Sequence, residues 1–219
     1  MPIAGDLIID KLGISAADRA MVTAETEIII NCAASVSFDD PLLDALQINY
    51  FGCMRMLELA HECQRIQVLT HVSTAYVNCN IMTNEKIEEK VYDLPGRQDC
   101  EKIVEGILKL GPQTVDEQEK TILGVYPNTY TFTKSLAERM LQKRRGNLPV
   151  VIVRPSIIQG NYNDPFMGWT DTIAASGFQM LMVCTGLLQY VHTTKDTILD
   201  IIPCDFVSNQ ILVQTVYTA

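Results

Sequence analysis

The sequence predicts an α/β fold, a doubly wound parallel sheet, and two observations support this prediction. Short apolar runs rich in β-branched residues occur at 27–34, 66–74 and 148–155. Between them, at 39–63 and 127–145, apolar residues recur at the spacing of a helix. Strands that are apolar on both faces are typical of a parallel sheet covered by helices on both sides.

The first two strands frame a helix. "EIIINCAA" at 27–34 is apolar and ends in small residues, as a buried parallel strand does. Pro41, close to the start of the periodic stretch 39–63, suits the N-terminus of a helix. "IQVLTHVST" at 66–74 is then a second buried strand, and it ends in two hydroxyl residues.

The regular alternation is interrupted at 78–125. This block contains acidic runs, "DLPGRQD" and one helical stretch around 99–110, so we expect an insertion between a strand and a helix that is not a core layer. A helix at 127–145 follows, which Gly146 closes, and "LPVVIVRP" at 148–155 forms the third strand.

After Pro155 the pattern loosens, which predicts a smaller region at 156–219. The apolar stretch 173–191 is long enough for a membrane span, but its polar residues and two glycines favour a buried or interfacial helix that breaks near Gly186. The end, "LDIIPCDFVSNQILVQTVYTA", predicts a short strand, a proline turn and a helix capped by Asp205.

The composition fits one globular domain, or a large part of one. Of the 219 residues, 47% are hydrophobic and 20% charged, which is enough apolar material for a full core. The net charge of -9 opposes electrostatic binding to nucleic acid or to an anionic membrane. An anionic cofactor would therefore depend on local donors such as helix N-termini and single Arg or Lys residues.

The seven cysteines and three histidines form no metal-binding motif. There is no C-x-x-C pair, and each histidine is isolated in the sequence, so we predict no zinc site. An odd, scattered set of cysteines is typical of reduced thiols in an intracellular, cytosol-facing protein. The opening "MPIAGDLIID" lacks the basic start and apolar core of a signal peptide.

Small or polar residues follow all three predicted strands, in "NCAAS", "HVSTAY" and "VRPSII". Ligands bind at the carboxyl ends of strands in such sheets. Ala33 and Ala34 would let a flat ligand approach the backbone, and Ser73 and Thr74 place hydroxyls at the same edge. The same residues also occur in ordinary strand-end turns, so they indicate a site only in combination with others.

Tyr130 and Lys134 are four residues apart, so on a helix they share one face. A lysine ammonium near a phenol lowers the phenol pKa from about 10, which permits proton exchange with a substrate oxygen near neutral pH. A hydroxyl from Ser73 or Thr74 would hold that oxygen. The combination suits hydride transfer to a carbonyl, although a Tyr-x-x-x-Lys pair alone is a weak signal.

"NCAAS", "INYFGC", "HVSTAYVN", "YTFTKSLAE" and "VIVRPS" occur in the order found in extended short-chain dehydrogenases/reductases. Within that superfamily, "HVSTAYVNCN", "PNTYTFTKSLAE", "VVIVRPSII", "PFMGWTDT" and "DIIPCDFV" resemble segments of the alcohol-forming fatty acyl-CoA reductases, which include male-sterility proteins. That family also carries an insertion between Thr74 and Tyr130. The resemblance covers nearly the whole chain. It implies a Rossmann-like, NAD(P)-binding reductase domain over 1–219, with 156–219 on the substrate side.

The resemblance assigns catalytic roles to five residues. Tyr130 would be the proton donor, and Lys134 would lower its pKa and bind the nicotinamide ribose. Thr74 aligns best with the hydroxyl that orients the substrate, and Ser73 is the alternative. Asn49 would support the proton relay on the lysine side.

The resemblance also assigns residues to the cofactor. In "GDL", Asp6 matches the acidic residue near the adenine, with Leu7 beside it. The residues that would line the cofactor groove or pack near the nicotinamide are Cys32, Ala33, Ala34, Ser35, Pro155, Ser156 and Ile157.

The reaction of the family is reduction of a long-chain acyl-CoA by NADPH. A first hydride gives a hemithioacetal that collapses to an aldehyde and free CoA, and a second hydride gives the alcohol. The stretch 173–191 is then a candidate wall for the acyl chain, or else a plain core helix. Family members are often anchored to peroxisomal or endoplasmic reticulum membranes, which here would involve only regions absent from this chain.

The sequence departs from the family pattern at its beginning. A dinucleotide-binding sheet of this family opens with a strand and a Gly-rich turn, but none of the 12 glycines forms G-x-G-x-x-G or G-x-x-G-x-x-G. "MPIAGDL" resembles the end of the family's third strand. We therefore expect an N-terminally truncated domain that binds NADPH weakly and turns over slowly or not at all on its own.

Two other interpretations stay open. One is another extended short-chain reductase that acts on a sterol, a nucleotide sugar or a carrier-bound thioester. The segments "PFMGWTDT" and "DIIPCDFV" argue against this interpretation. The other is a non-catalytic remnant that serves as a scaffold or partner.

Overall fold

The computed structural model describes residues 1–81, 86–94, 96, 98–173 and 175–219. The chain divides into two compact units. The first consists of Met1–Arg154 with Thr215–Ala219, and the second of Pro155–Gln214. The division falls beside the start of the smaller region predicted at 156–219.

A parallel sheet of three strands forms the centre of the first unit. Strand β1 (Ile28–Asn31) pairs with β2 (Val68–Val72), and β2 pairs with β3 (Val150–Val153). Asn31 is opposite His71 at the carboxyl end of the sheet. All three strands lie inside the predicted runs, and the predicted α/β class with a parallel sheet is confirmed.

The helices of the first unit include those predicted between the strands, and they leave Ile28 and Ile30 on one face of β1 exposed. They are α1 (Ala16–Glu25), α2 (Leu42–Ala45), α3 (Gly52–Glu62), α4 (Cys100–Leu110), α5 (Pro112–Leu123) and α6 (Thr129–Arg144). The helix predicted at 39–63 is α2 and α3 joined by a π-helical segment, Leu46–Phe51. Such segments are rare and occur frequently at functional sites.

The expectation that 78–125 lies outside the core is wrong for its second half. Val104 and Ile107 of α4 are buried in the main hydrophobic cluster, as are Val115 and Leu123 of α5. Both helices are amphipathic, so burying one face of each against the cluster removes that apolar surface from water. Within this block, residues 82–85, 95 and 97 lie outside the described residues, and two of them belong to "DLPGRQD".

The N-terminal segment contains no strand in residues 1–9, although its sequence resembles a strand end. A 3-10 turn, Asp10–Gly13, follows it, and Lys11 and Leu12 adopt positive φ of 52° and 64°. These are unfavourable conformations for residues with a Cβ. The turn places the Leu12 side chain in the core, which offsets part of this cost.

The second unit contains a two-stranded parallel sheet, β4 (Ile157–Gln159) with β5 (Ile201–Pro203), and helix α7 (Ala175–Cys184). Gly186 has a φ of 73° just after α7, in agreement with the predicted break. Phe178 and Met180 on α7 are exposed, so the stretch is not a buried helix in this unit. Residue 174 is outside the described residues. Among the helices described, none is both long and apolar enough to cross a membrane.

Asp205 does not cap a helix as predicted. Helix α8 (Cys204–Thr218) begins one residue earlier, and its last residues from Thr215 belong to the first unit. The Asp205 carboxylate instead accepts the backbone N–H groups of Tyr162, Asn163 and Asp164 at 3.0, 2.9 and 3.2 Å. These bonds lower the pKa of Asp205 and fix the loop that follows β4.

Helix α6 is buried on almost every side. Nearly all residues from Thr129 to Leu141 are inaccessible, whereas Tyr130 is half-buried. A helix buried all round is a central element of its unit. Polar side chains on α6, such as Lys134 and Glu138, therefore need partners within the protein.

Asn128 caps α6, and replacing it should weaken the helix that carries Tyr130. Its side-chain oxygen accepts the N–H of Thr131 at 2.9 Å. We expect Asn128→Ala to lower the free energy of unfolding by about 1 kcal/mol, because an amide at the helix N-terminus loses its acceptor. Urea denaturation measures this loss. Asn128→Asp retains the acceptor and should stay close to the parent, whereas equal stability of the alanine variant would contradict the prediction.

Candidate active site

Tyr130 and Thr74 meet at the carboxyl end of the sheet. Tyr130 lies in the first turn of α6, and Thr74 follows β2. The Thr74 side chain lies close enough to the Tyr130 phenol to lower its pKa. The Thr74 hydroxyl also accepts the N–H of Tyr76 at 3.4 Å and so caps a 3-10 turn, Ala75–Asn78. The Tyr130 ring packs against Phe38, with 5.6 Å between the ring centroids. The phenol is therefore held from two sides.

Lys134 is buried one turn further along α6, and only 2% of it is exposed. Its ammonium donates to the backbone carbonyl of Val72, the last residue of β2, at 2.8 Å. Burial lowers the pKa of Lys134, and the nearby Cys53, Glu138 and Cys32 counteract this electrostatically. The lysine thus joins α6 to the end of the central strand.

The structure differs from the expectation that Lys134 lowers the pKa of Tyr130. Burial raises the pKa of Tyr130, and the nearby Thr74 side chain offsets part of this rise. The Lys134 ammonium is engaged by the Val72 carbonyl. At neutral pH the phenol is therefore protonated, which is the form that a proton donor needs.

Asn49 connects the loop after β1 to α6. Its side-chain oxygen accepts the N–H of Ser35 at 3.0 Å, and its amide nitrogen donates to the Thr133 hydroxyl at 3.2 Å. Asn49 lies in the π-helical segment, which brings its side chain between these two partners. Asn49 therefore forms a clamp, a pair of hydrogen bonds that joins the loop after β1 to α6 next to Tyr130 and Lys134.

A second set of bonds holds the same loop. The Ser35 hydroxyl donates to the Asp40 carboxylate, and the Thr129 hydroxyl donates to the Asp40 carbonyl at 3.0 Å. Asp40 and Thr133 were not predicted as site residues, because nothing in their spacing marks them.

Ser73 and Thr74, left as alternatives by the sequence, have different surroundings. The Ser73 hydroxyl is buried and has no hydrogen-bond partner among the described residues, and its N–H donates to Val153 of β3 at 2.7 Å. Only Thr74 of the two contacts Tyr130. The geometry favours Thr74 as the hydroxyl beside the phenol.

The residues proposed for the cofactor fall into three groups. Cys32, Ala33, Ala34 and Ser35 follow β1 directly, and Cys32 and Ala33 are exposed. The thiol of Cys32 lies close enough to Lys134 for the ammonium to lower its pKa, although burial raises it overall. Of this group, Cys32 therefore lies near Lys134.

The other two groups are not connected to Tyr130 by any contact that the structure describes. Asp6 accepts the N–H of Ile8 at 2.9 Å, and the Leu7 carbonyl accepts from Arg55 at 2.7 Å. Pro155, Ser156 and Ile157 belong to the second unit.

Comparison with known protein families shows that residues 1–211 match the model described as Male sterility protein. The chain belongs to this family. It is 35% identical over 217 residues to fatty acyl-CoA reductase 2 of Bos taurus, and 34% identical over 216 residues to fatty acyl-CoA reductase 1 of Xenopus laevis. Each match covers 99% of this chain and 41% of the relative. The resemblance predicted from the sequence is confirmed, and the chain spans about two fifths of the curated relatives it matches.

Solved structures show the same fold as this male sterility family member. The terminal R domain of the myxalamid PKS-NRPS pathway matches with a TM-score of 0.69 and 24% identity, covering 98% of this chain and 46% of that one. A UDP-N-acetylglucosamine 4-epimerase from Methanobrevibacter ruminantium M1 matches with a TM-score of 0.60 and 14% identity, covering 97% and 55%. At these identities the likeness concerns the fold, and it supports the predicted Rossmann-like class.

Two further features of this male sterility family member were not predicted. His71, on β2, is buried with its Nδ1 3.3 Å from the amide nitrogen of Asn31 and 3.6 Å from the sulfur of Cys53. Glu138, one turn beyond Lys134, forms an ion pair with Arg154. The regular spacing of Tyr130, Lys134 and Glu138 is a sequence signal that would have identified the glutamate.

Proposed function

We propose that this protein reduces long-chain fatty acyl-CoA to fatty alcohol with NADPH, and that Tyr130 donates the proton. The observation that carries the proposal is the placement of Tyr130 on α6 one helical turn from the buried Lys134, whose ammonium binds the Val72 carbonyl at the carboxyl end of a parallel sheet, with Thr74 beside the phenol. Membership of the male sterility family and the names of the curated relatives support the acyl-CoA substrate. The choice of NADPH and of the alcohol as product rests on the resemblance described above.

The residues at this edge fit the nicotinamide end of a dinucleotide. Cys32 and Ala33 are small and exposed directly after β1, and Lys134 acts on the Cys32 thiol, so loop and lysine border the same space. Cys32, Ala33, Ala34 and Lys134 would hold the cofactor there, and the cofactor would supply hydride to the acyl carbon.

The chain's own groups would stabilise the negative charge that develops on the substrate oxygen. The Thr74 hydroxyl would donate a hydrogen bond to the thioester carbonyl, and Tyr130, protonated at neutral pH, would give its proton as negative charge develops. The Lys134 ammonium adds positive potential from a buried position, where electrostatic effects are stronger than in water. The thiol of CoA leaves when the hemithioacetal collapses, and the same groups would serve the aldehyde.

The test is an assay of the protein expressed from its complete reading frame, with lauroyl-, palmitoyl- and stearoyl-CoA. Consumption of NADPH, release of free CoA thiol and formation of fatty alcohol are measured in the same reaction. We expect two NADPH per CoA if reduction continues to the alcohol. Absence of CoA release that depends on NADPH, with all three substrates, would overturn the proposal.

A further inference from the structure

Tyr130, Lys134 and Glu138 are each four residues apart on α6 and therefore share one face of the helix. Lys134 and Glu138 are almost completely buried, with 2% and 1% exposed. A buried ammonium is costly unless an opposite charge lies close to it. Glu138 is the carboxylate one turn along the same buried face, and after Cys53 it raises the pKa of Lys134 against the effect of burial.

Arg154, immediately after β3, fixes the Glu138 carboxylate. Its Nε donates to Oε1 at 2.9 Å and its Nη2 donates to Oε2 at 2.6 Å, a bidentate arrangement. The same Nη2 also donates to the backbone carbonyl of Lys90 at 3.0 Å. The guanidinium is thus held on two sides, and the glutamate cannot rotate away from Lys134 without breaking both bonds to Arg154.

The other titratable groups around Lys134 come from three further elements and are neutral at neutral pH. Burial raises the pKa of Cys53, on α3, to about 12 and also raises that of Cys32, after β1. On β2, burial and then the charge of Lys134 lower the pKa of His71 to about 3. Among the described groups that act on Lys134, Glu138 is therefore the one that carries a negative charge.

We propose that Glu138, fixed by Arg154, is a positioning residue that keeps Lys134 protonated and bonded to the Val72 carbonyl beside Tyr130. The inference rests on the proposed function in so far as it concerns reduction of a carbonyl. The charge on Lys134, which the proposal predicts directly, can be measured without any substrate being converted.

The experiment is an NMR titration of the whole protein with ¹³C,¹⁵N-labelled lysine, in which the Lys134 side-chain signal is assigned by its loss in Lys134→Arg. We expect Glu138→Gln to lower the pKa of Lys134 by about one pH unit, because an opposite charge one turn along the same buried face of α6 is removed. An unchanged titration of Lys134 in this variant would overturn the proposal.

A double variant covers the case in which Glu138→Gln leaves Arg154 buried and unpaired and fails to fold. Glu138→Gln/Arg154→Gln removes both charges at similar volume, which is usually tolerated better than breaking the pair. Arg154 lies on the far side of Glu138 along this ion pair and repels Lys134 less strongly than Glu138 attracts it, so the pKa of Lys134 should fall in the double variant too, by less than in Glu138→Gln. If the double variant titrates like the parent, the proposal is wrong.

Glu62→Gln is the matched control. Arg19 binds Glu62 in the same bidentate way, at 2.8 Å for both bonds, and also donates to a backbone carbonyl, that of Lys11. Because Glu62 does not act on Lys134, this variant should leave the Lys134 titration unchanged. A shift as large as that of Glu138→Gln would show a general effect of ion-pair loss and overturn the proposal. If the titrations behave as expected but no acyl-CoA is reduced, the proposed function alone fails.

Discussion

Tyr130→Phe is expected to lower the turnover number for carbonyl reduction by about 10²–10⁴-fold, the usual contribution of a positioned proton donor. The substitution removes one oxygen and keeps the ring that packs against Phe38. The variant also removes the interaction of the phenol with Thr74, whose hydroxyl keeps its bond to the N–H of Tyr76. The free energy of unfolding should therefore change little, and the loss should appear in turnover at saturating substrate.

Tyr126→Phe is the control for this experiment. Tyr126 is buried, and its hydroxyl accepts a hydrogen bond from Ser135 at 2.7 Å, away from Thr74 and Lys134. This variant removes the same atom from a tyrosine outside the proposed site, so its turnover should stay close to that of the parent. Turnover is followed by release of CoA thiol from palmitoyl-CoA. Equal rates in Tyr130→Phe and the parent would remove Tyr130 from the role of proton donor.

The parts of the fold that the sequence predicted are those that depend on local patterns. The β-branched runs around Ile28–Asn31 and Val150–Val153 form strands because residues of this type favour a pleated sheet, although only one face of β1 is buried and Ile28 and Ile30 are exposed on the other. Helix α6 was predicted because apolar residues recur at helical spacing across 127–145. The two helices of 78–125 were underestimated, because the acidic residues on their outer faces obscured the apolar positions that reach the core.

The sequence predicted which residues form the candidate site, but it predicted few of the contacts between them. The four-residue spacing placed Tyr130 and Lys134 on one face, as observed. The sequence could not show that the Lys134 ammonium binds the Val72 carbonyl, because this bond depends on how α6 packs over the end of β2. Nor could it show the clamp formed by Asn49, which depends on a local π-helical segment with no reliable sequence signal.

His71 provides the second large prediction, which concerns stability in acid. The residue is 1% exposed, and the amide nitrogen of Asn31 lies 3.3 Å from its Nδ1, so this ring nitrogen acts as an acceptor in the neutral form. A proton added at Nδ1 would point at the Asn31 amide group. Burial, and then the charge of Lys134, lower the pKa of His71 from its usual 6.5 to about 3.

The lowered pKa of His71 makes the folded protein less stable as the pH falls. Below pH 6.5 the unfolded chain binds a proton on His71, whereas the folded protein binds it only near pH 3. The unfolded state therefore gains protons first, and the free energy of unfolding falls by about 1.4 kcal/mol per pH unit within this window. By pH 4.5 the contribution of His71 amounts to about 3 kcal/mol. Above pH 6.5 both states are neutral at this position and the effect vanishes.

His71→Gln removes the titrating group and should flatten the acid side of the stability curve. Its packing cost does not depend on pH, so the variant is compared with the parent through the difference between their unfolding free energies at pH 7.5 and pH 4.5, measured by urea denaturation. The variant should lose about 3 kcal/mol less than the parent over this interval. His192→Gln, at an exposed histidine, is the control and should follow the parent curve. If the curves of His71→Gln and the parent are parallel, His71 binds its proton as readily in the folded protein as in the unfolded chain. That result would contradict a buried, neutral ring between Asn31 and Cys53.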